Sequence, residues 1–322
     1  MSTIGFQGRV AAVTGAGNGL GRDYALQLAA RGAAVVVNDI GVGDDGVKTA
    51  ETVAAQIRAA GGRAIACTDS VSTRAGADAI VAAAMDGFGR IDIVINNAGN
   101  QRNGRLEQMS DEDFTSVLDV HLTGAFMLSR AAYARMIEQR YGRILFTSSA
   151  SGMFGHFIRA NYNSAKTGVI GLMHTVALEG QTHGILANAL MPMASSPGTR
   201  LGKVPEGTLL PQWAPKMPEN APDGALIGPG MSVGHVTPLV LYLVSERCTS
   251  THAIWSALGG RYARVFIGVT QGWLGPQDRP ATPEEIESNL ARIEDRGGYD
   301  EPAYITEEVL SVIRHIKRER RQ

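Results

Sequence analysis

The chain has 322 residues, 44% of them apolar, and a formal net charge of −1 at pH 7. It is long enough to bury a substantial core and too evenly charged to suggest nucleic acid or an anionic membrane surface as a partner. Its two cysteines, Cys67 and Cys248, have no ligand-like spacing, so neither a disulfide framework nor a metal site is expected.

Strand and helix patterns alternate from the N-terminus. Val10–Thr14 is short, apolar and β-branched, and it runs into TGAGNGLG, Thr14 to Gly21, with a helical stretch from Leu20 to Arg31. Gly15, Gly19 and Gly21 follow a GxxxGxG spacing. Small residues at a strand-to-helix turn let the backbone approach a pyrophosphate resting on the helix N-terminus, which makes Gly15, Asn18, Gly19, Leu20 and Gly21 candidate cofactor contacts. The next strand, Ala34–Asn38, closes on Asp39. A carboxylate about twenty residues past the turn holds ribose hydroxyls and repels a 2′-phosphate, so NAD is expected over NADP. Asp69, a candidate acceptor for the adenine amino group, and Ser70 follow the strand Ala64–Cys67. A fourth strand, Ile91–Asn96, leads to Asn97, Ala98 and Gly99. Polar amides and a glycine at a strand's carboxyl end suit the crevice where open α/β sheets bind ligands.

A long helix is expected over Asp111–Glu138, then a strand over Arg143–Ser148. Ser149 follows, with Tyr162 twelve intervening residues later and Lys166 four beyond it, on the helix Asn163–Glu179. Residues at i and i+4 share a helix face. The adjacent cation favours the phenolate, so Tyr162 is expected to exchange a proton near neutral pH instead of near its usual value of about 10. A nearby hydroxyl can hold a substrate oxygen against that phenol. This is acid–base equipment for interconverting an alcohol and a carbonyl. A bare YxxxK match also describes an ordinary solvated helix face; the glycine turn and the strand order weigh against that reading.

Pro192 is expected to mark the turn after the strand Ile185–Met191. Residues 194–230, rich in Pro, Gly and Met, include Leu209, Leu210, Trp213 and Met217, which suit an apolar pocket wall. A seventh strand is expected at Ala253–Leu258 and an extended stretch at Val265–Val269. Thr282-Pro283-Glu284-Glu285 has the pattern of a capped helix start, and a last helix carries Val309, Leu310, Ile313 and Ile316 before a basic end. Near-continuous apolar strands with helical crossovers predict a Rossmann-like α/β fold. Its doubly wound parallel sheet would have about seven strands, within residues 1–262, and residues 263–322 would form a C-terminal helical extension.

TGAGNGLG, NNAG and the Ser149, Tyr162, Lys166 set resemble the short-chain dehydrogenase/reductase family. Within it, VVVNDIG, TDSV, GFGRIDIVINNAG, DVHLTGAF, YGRILFTSSASGMFGHFIRANYNSAK and VTPLVLYLVSE resemble the dehydrogenase unit of the peroxisomal multifunctional enzymes, from Gly8 to about Arg261. The resemblance implies oxidation of (3R)-hydroxyacyl-CoA with NAD, Tyr162 as proton acceptor, and a Lys166 that also holds the nicotinamide ribose. It places a substrate loop at 194–230. Arg102, Arg105, Arg159, Arg200 and Lys203, in segments that follow the fourth, fifth and sixth strands, are expected near the mouth, where they suit the phosphates of coenzyme A, although each alone also reads as a solvated surface charge. A hydroxysteroid (17β-type) dehydrogenase is the alternative, and a catalytically silent NAD-binding protein a remote one. His121 departs from the family, which has Asn there at a helix bend whose carbonyl holds a relay water; a relay role and a packed helix residue stand as equal readings. The family's Pro-Gly-Thr appears only at Pro197-Gly198-Thr199, so the hydroxyl that meets the nicotinamide amide is open.

Small residues on the two long helices, among them Ala125, Ala131, Ala132, Ala165, Gly168 and Gly171, predict a second buried face and a homodimer or homotetramer. No stretch approaches the roughly 20 apolar residues of a membrane span, and MSTIGFQGRV lacks a leader's apolar run. The ending Arg-Arg-Gln is no Ser-Lys-Leu address, so a cytoplasmic protein is expected.

Overall fold

A computed structural model describes residues 3–195 and 228–319. The strands β1 (Val10–Thr14), β2 (Ala34–Asn38), β4 (Ile93–Asn96) and β5 (Gly142–Thr147) are buried at every position. That is the reason they read as unbroken apolar runs: helices cover both faces of the sheet, so no face alternates with solvent. With β3 (Arg63–Cys67), β6 (Ile185–Met193), β7 (Ala253–Leu258) and β8 (Arg261–Val265), they form one sheet in the order β3-β2-β1-β4-β5-β6-β7-β8. The pairs from β3 through β7 are parallel, with Val10 opposite Ala34 and Ala11 opposite Ile93. The sheet has eight strands where seven were expected; β8 joins it as an edge strand starting at Arg261.

Chain direction across the sheet reverses between β1 and β4, and ligand crevices of such sheets open outside the carboxyl ends of the strands at that switch point. The helices α1 (Gly19–Ala30), α2 (Thr49–Ala59) and α3 (Arg74–Phe88) follow β1, β2 and β3. Thr73 caps α3 by accepting from Gly76 N at 3.1 Å. The long helix expected over Asp111–Glu138 is two helices, α4 (Asp111–Leu118) and α5 (Gly124–Gln139), joined by a π-turn over Asp119–Thr123. A π-turn inserts a residue into the helical ladder and re-aims side chains, commonly at functional sites. After the short α6 (Ala150–Phe154) comes α7 (Ala160–Gly180), 21 residues long, which packs on β5 and β6.

Pro192 does not mark a turn. It lies within β6, opposite Ala257 of β7. The β5 pairing of β6 ends at Leu190, so beyond that point one side of β6 needs no N–H donor and a proline is tolerated.

The chain separates into two compact units, one up to Arg264 and one from Val265. In the second, β9 (Val269–Thr270) pairs antiparallel with β10 (Tyr299–Asp300). The helix Pro283–Ser288 starts with the expected capping box: Glu285 N donates to the Thr282 hydroxyl and Thr282 N to the Glu285 carboxylate. A short helix over Leu290–Ile293 follows, and a third spans Ile305–Glu319. Among the described residues no helix is long and apolar enough to cross a membrane.

Candidate active site

At the switch point a cleft of about 280 Å³ is lined by Gly15, Asn18, Gly19, Leu20, Asp39, Asn97, Gly99, His121, Tyr162, Lys166 and Pro192, together with Asn100, Gln101, Thr147 and Ser148. Candidate residues from six separate stretches of sequence thus line one cleft.

The glycine turn is built for close approach. Gly15 has φ +62°, the left-handed region, and a Cβ there would lie 2.8 Å from the Ala98 Cα. A Cβ on Gly21 would run into the Gly15 carbonyl. Asn18 sits at the N-cap of α1 without a side-chain cap bond, and no acidic residue lies in the first turn. The first N–H groups of α1 are therefore left to an anion from outside, which is the donor set a pyrophosphate takes. The Asp39 carboxylate accepts from Gly17 N at 2.8 Å and Gly41 N at 2.7 Å. A carboxylate has about four lone-pair sites, so sites remain that would accept ribose hydroxyls. These features fit a dinucleotide.

Two residues of the cradle are structural. The Asn97 amide donates to the Thr14 carbonyl at 2.9 Å and to the Gly15 carbonyl at 3.3 Å. The Thr14 hydroxyl accepts from Asn97 N and Ala98 N, both at 3.0 Å. Thr14, missed at the level of sequence, is buried and ties β1 to the residues after β4; its only sequence signal is a hydroxyl as the last residue of an apolar strand. Asp69 and Ser70 do not line the cleft. Asp69 is exposed and accepts from the Cys67 thiol, and the Ser70 hydroxyl pairs with that of Ser72 at 2.8 Å.

Lys166 is buried in α7, and its ammonium donates to the Thr147 carbonyl at 2.6 Å. Burial alone pulls its pKa down to about 7. Its Nζ stands 5.5 Å from the centre of the Tyr162 ring. The Tyr162 phenol does not have the lowered pKa expected from that pair. Burial raises it, while the Ser149 hydroxyl and the Arg159 guanidinium pull it back down. The reason is that desolvation acts on both partners at once: a buried lysine loses part of the charge that was to favour the phenolate.

Ser149 ends the segment after β5 and caps α6, accepting from Ser151 N at 3.1 Å. The neighbouring Ser148 hydroxyl is committed to the Lys166 carbonyl at 2.7 Å, whereas the Ser149 hydroxyl is the one that acts on the Tyr162 phenol.

His121 lies in the π-turn, buried, with its ring edge-on to Tyr162 at 5.2 Å between centroids. Its Nε2 lies 2.9 Å from the Asn100 backbone carbonyl and 3.1 Å from the Asn100 backbone N, donating to the first or accepting from the second according to the tautomer. Burial and then Lys166 hold its pKa well below the usual value, so the ring is neutral. Its Nδ1 and the Thr147 hydroxyl are buried without hydrogen-bond partners. Both residues line a void of about 10 Å³ that Lys166 and Asn96 also reach. A polar void of that size is about what one water needs.

Of the cations expected at the mouth, Arg102 is exposed beside Asp113 at 3.7 Å, and Arg105 pairs with Glu107. Arg159 is not at the rim at all: it is 7% exposed, with its Cζ 5.5 Å from the Tyr162 ring centre. His156 is exposed and bonds the Phe157 carbonyl. Arg200, Lys203, Leu209, Leu210, Trp213, Met217 and the Pro197-Gly198-Thr199 run lie outside the described residues.

A switch-point cleft with an open helix end, a ribose-height carboxylate and a phenol beside a buried ammonium is the equipment of a nucleotide-dependent oxidoreductase. Residues 9–203 match the model of the short chain dehydrogenase family, and the chain belongs to that family. It is an oxidoreductase whose fold implies a nicotinamide nucleotide. Mouse peroxisomal multifunctional enzyme type 2 is 39% identical over 318 residues, which are 97% of this chain and 40% of that enzyme. A hydroxyacyl-CoA dehydrogenase of Mycobacterium tuberculosis is 40% identical over 201 residues, 60% of this chain and 63% of that one. The solved structure of full-length peroxisomal multifunctional enzyme type 2 from Drosophila melanogaster superposes with a TM-score of 0.78 at 30% identity, covering 98% of this chain and 50% of that one. The chain thus spans half or less of the length of these two multifunctional enzymes.

Proposed function

We propose that the chain oxidises the secondary hydroxyl of a (3R)-hydroxyacyl-CoA to the 3-oxoacyl thioester with NAD. The observation that carries the reading is the cleft that joins Asp39 and the glycine turn to Tyr162 and Lys166. Residues Gly15, Asn18, Gly19, Leu20 and Gly21 would hold the pyrophosphate, Asp39 the adenosine ribose, and Asn97, Ala98, Gly99 and Pro192 would border the nicotinamide end. When bound, the nicotinamide supplies a hydride acceptor.

The chain's own residues handle the proton. Ser149 donates a hydrogen bond to the substrate oxygen and holds it against Tyr162. Tyr162, as phenolate, takes the hydroxyl proton while the carbonyl forms; general acid–base catalysis of this kind contributes about 10²–10⁴-fold. Lys166 holds the nicotinamide ribose. A relay role for His121 in carrying the proton onward is supported by its edge-on contact with Tyr162 and its buried, unpartnered Nδ1. The preference for NAD is supported by Asp39, since a 2′-phosphate beside that carboxylate brings like charges together. A thioester of coenzyme A is supported by the hydroxyacyl-CoA dehydrogenase relative and by the motif resemblance.

The test compares kcat/KM for a (3R)-hydroxyacyl-CoA, its free acid and a 17β-hydroxysteroid, each with NAD. The thioester is expected to be fastest and its 3S epimer inert. Preference for the steroid alcohol would replace this reading with the hydroxysteroid one. Cofactor binding without turnover of any alcohol would indicate a silent nucleotide-binding protein.

A further inference from the structure

Arg159 combines four features that each work against stability. The residue is 7% exposed, and two of its guanidinium nitrogens, Nε and Nη2, are buried with no hydrogen-bond partner among the described residues; an uncompensated buried charge is strongly destabilising. It occupies the N-cap of α7, the positive end of a 21-residue helix dipole, where a cation is unfavourable. The residue before it, Ile158, has φ +56°, and a β-branched side chain in the left-handed region is a steric outlier. The strained backbone is nevertheless held: Gly104 N donates to the Ile158 carbonyl at 3.0 Å. The buried Asn161 clamps the start of α7, with its amide on the Arg102 and Asp113 carbonyls at 2.8 and 3.0 Å and its own carbonyl oxygen taking Tyr162 N at 2.7 Å. Strain and unpaired charge maintained this firmly at one place point to function.

What the guanidinium faces is the Tyr162 ring. The other groups around that ring are Lys166 from the same helix, the neutral His121 from the π-turn, and Ser149 from the end of β5. Lys166 is engaged by the Thr147 carbonyl and loses charge near neutral pH. An arginine stays charged throughout the working range.

We infer that Arg159 is a positioning residue that supplies the permanent positive charge stabilising the Tyr162 phenolate. The inference rests on the proposed role of Tyr162 as base but on no particular acyl substrate. It divides two tasks that a single lysine would otherwise share: Lys166 binds ribose and passes the proton on, and Arg159 biases the phenol.

The experiment is the pH profile of kcat/KM for oxidation of whichever secondary alcohol the wild-type chain turns over, in Arg159→Gln, Arg159→Met and Arg159→Lys. An opposite charge at about this range lowers an acid's pKa by roughly 1–3 units, so the neutral variants should shift the acidic limb upward by about one unit or more. Activity one pH unit below the wild-type limb should then fall about tenfold. Arg159→Lys should restore most of the shift. NADH affinity should be unchanged in all three variants, and their thermal midpoints no lower than wild type, because the substitution breaks no hydrogen bond of Nε or Nη2 among the described residues. A neutral variant with the wild-type limb overturns the inference. So does a higher KM for the thioester without a limb shift, which would make Arg159 a substrate contact, and so does a thermal midpoint lowered in every variant, which would make it a structural residue. Full activity of Tyr162→Phe would instead remove the proposed base itself, and a steroid in place of a thioester would change the substrate while leaving the limb test intact.

Discussion

Tyr162 and Lys166 show that a side chain's neighbours can be right while its electrostatics are decided by burial. Replacing Tyr162 by Phe keeps the ring and removes the exchangeable proton. The variant is expected to lose about 10²–10⁴-fold in kcat while NADH still binds, as read by fluorescence titration. Lys166 leads to a less obvious expectation. Its folded pKa of about 7 lies below the unfolded value near 10.5, so in the neutral range the unfolded chain holds that proton more tightly and the fold bears the cost. Lys166→Met should therefore abolish turnover and still raise stability, by on the order of 1 kcal/mol after the lost bond to Thr147 is allowed for. A lower midpoint in urea than wild type would show that the bond outweighs the desolvation. Thr14→Val tests the cradle. It leaves two backbone donors, Asn97 N and Ala98 N, without their acceptor. A loss of about 1–3 kcal/mol and weaker NADH binding are expected together.

Among the elements, the π-turn over Asp119–Thr123 is the one that matters most for the site. An unbroken helix from Asp111 would carry His121 round to a different face; the extra residue in the turn brings its ring to Tyr162 and its Nε2 to Asn100. The periodicity of the sequence runs across this point without interruption, so the break was expected only through the family resemblance. The helix start at Thr282 behaves oppositely. Its capping box is wholly local, four residues satisfying one another's donors, and the structure forms it where the sequence placed it. Thr282→Ala should cost about 1 kcal/mol of local stability. Faster amide exchange over 283–288, with the main sheet unaffected, is the readout, because the capped helix belongs to the unit beyond Arg264.

For the whole molecule, the proposed assembly needs a revised basis. Ala125, Ala132 and Ala165 are buried within this chain, and Gly168 packs on Leu122, so these small residues serve the subunit's own packing. Phe126, 42% exposed on α5, and the open Gly171 on α7 face outward, and Ala131 is half-buried. A dimer or tetramer through that surface is still the expectation. Light scattering at micromolar concentration checks it, and Phe126→Asp should lower the mass observed. Acid sensitivity is a second global property. His174, packed against His252 at 4.0 Å, has its pKa pulled down to about 4 by burial, with further lowering by His252 and Arg264. A histidine with a lowered folded pKa contributes stability that is full above its unfolded value near 6.5 and is lost as pH falls toward the folded one. The buried His121 acts in the same sense. Melting temperature should accordingly drop between about pH 6.5 and 4, and less steeply in His174→Gln.

The sequence by itself determined the strand–helix alternation, the glycine turn, Asp39 and the Tyr162–Lys166 face, because each is written in short-range pattern: apolar runs, glycine spacing, an i and i+4 pair. It also located the start of the tail helix. Tertiary structure decided what depends on burial and on distant neighbours. It set the desolvation that raises Tyr162 and discharges Lys166, and the commitment of Ser148 to a carbonyl on α7. It placed Pro192 inside β6 and Asp69 away from the cleft. Arg159 is the clearest case. In the sequence it is one cation among several near a loop, and only the fold, by turning Ile158 into the left-handed region and sealing the guanidinium beside a phenol, makes it different from the rest. Solvation is a property of the packed molecule and leaves no trace in residue order.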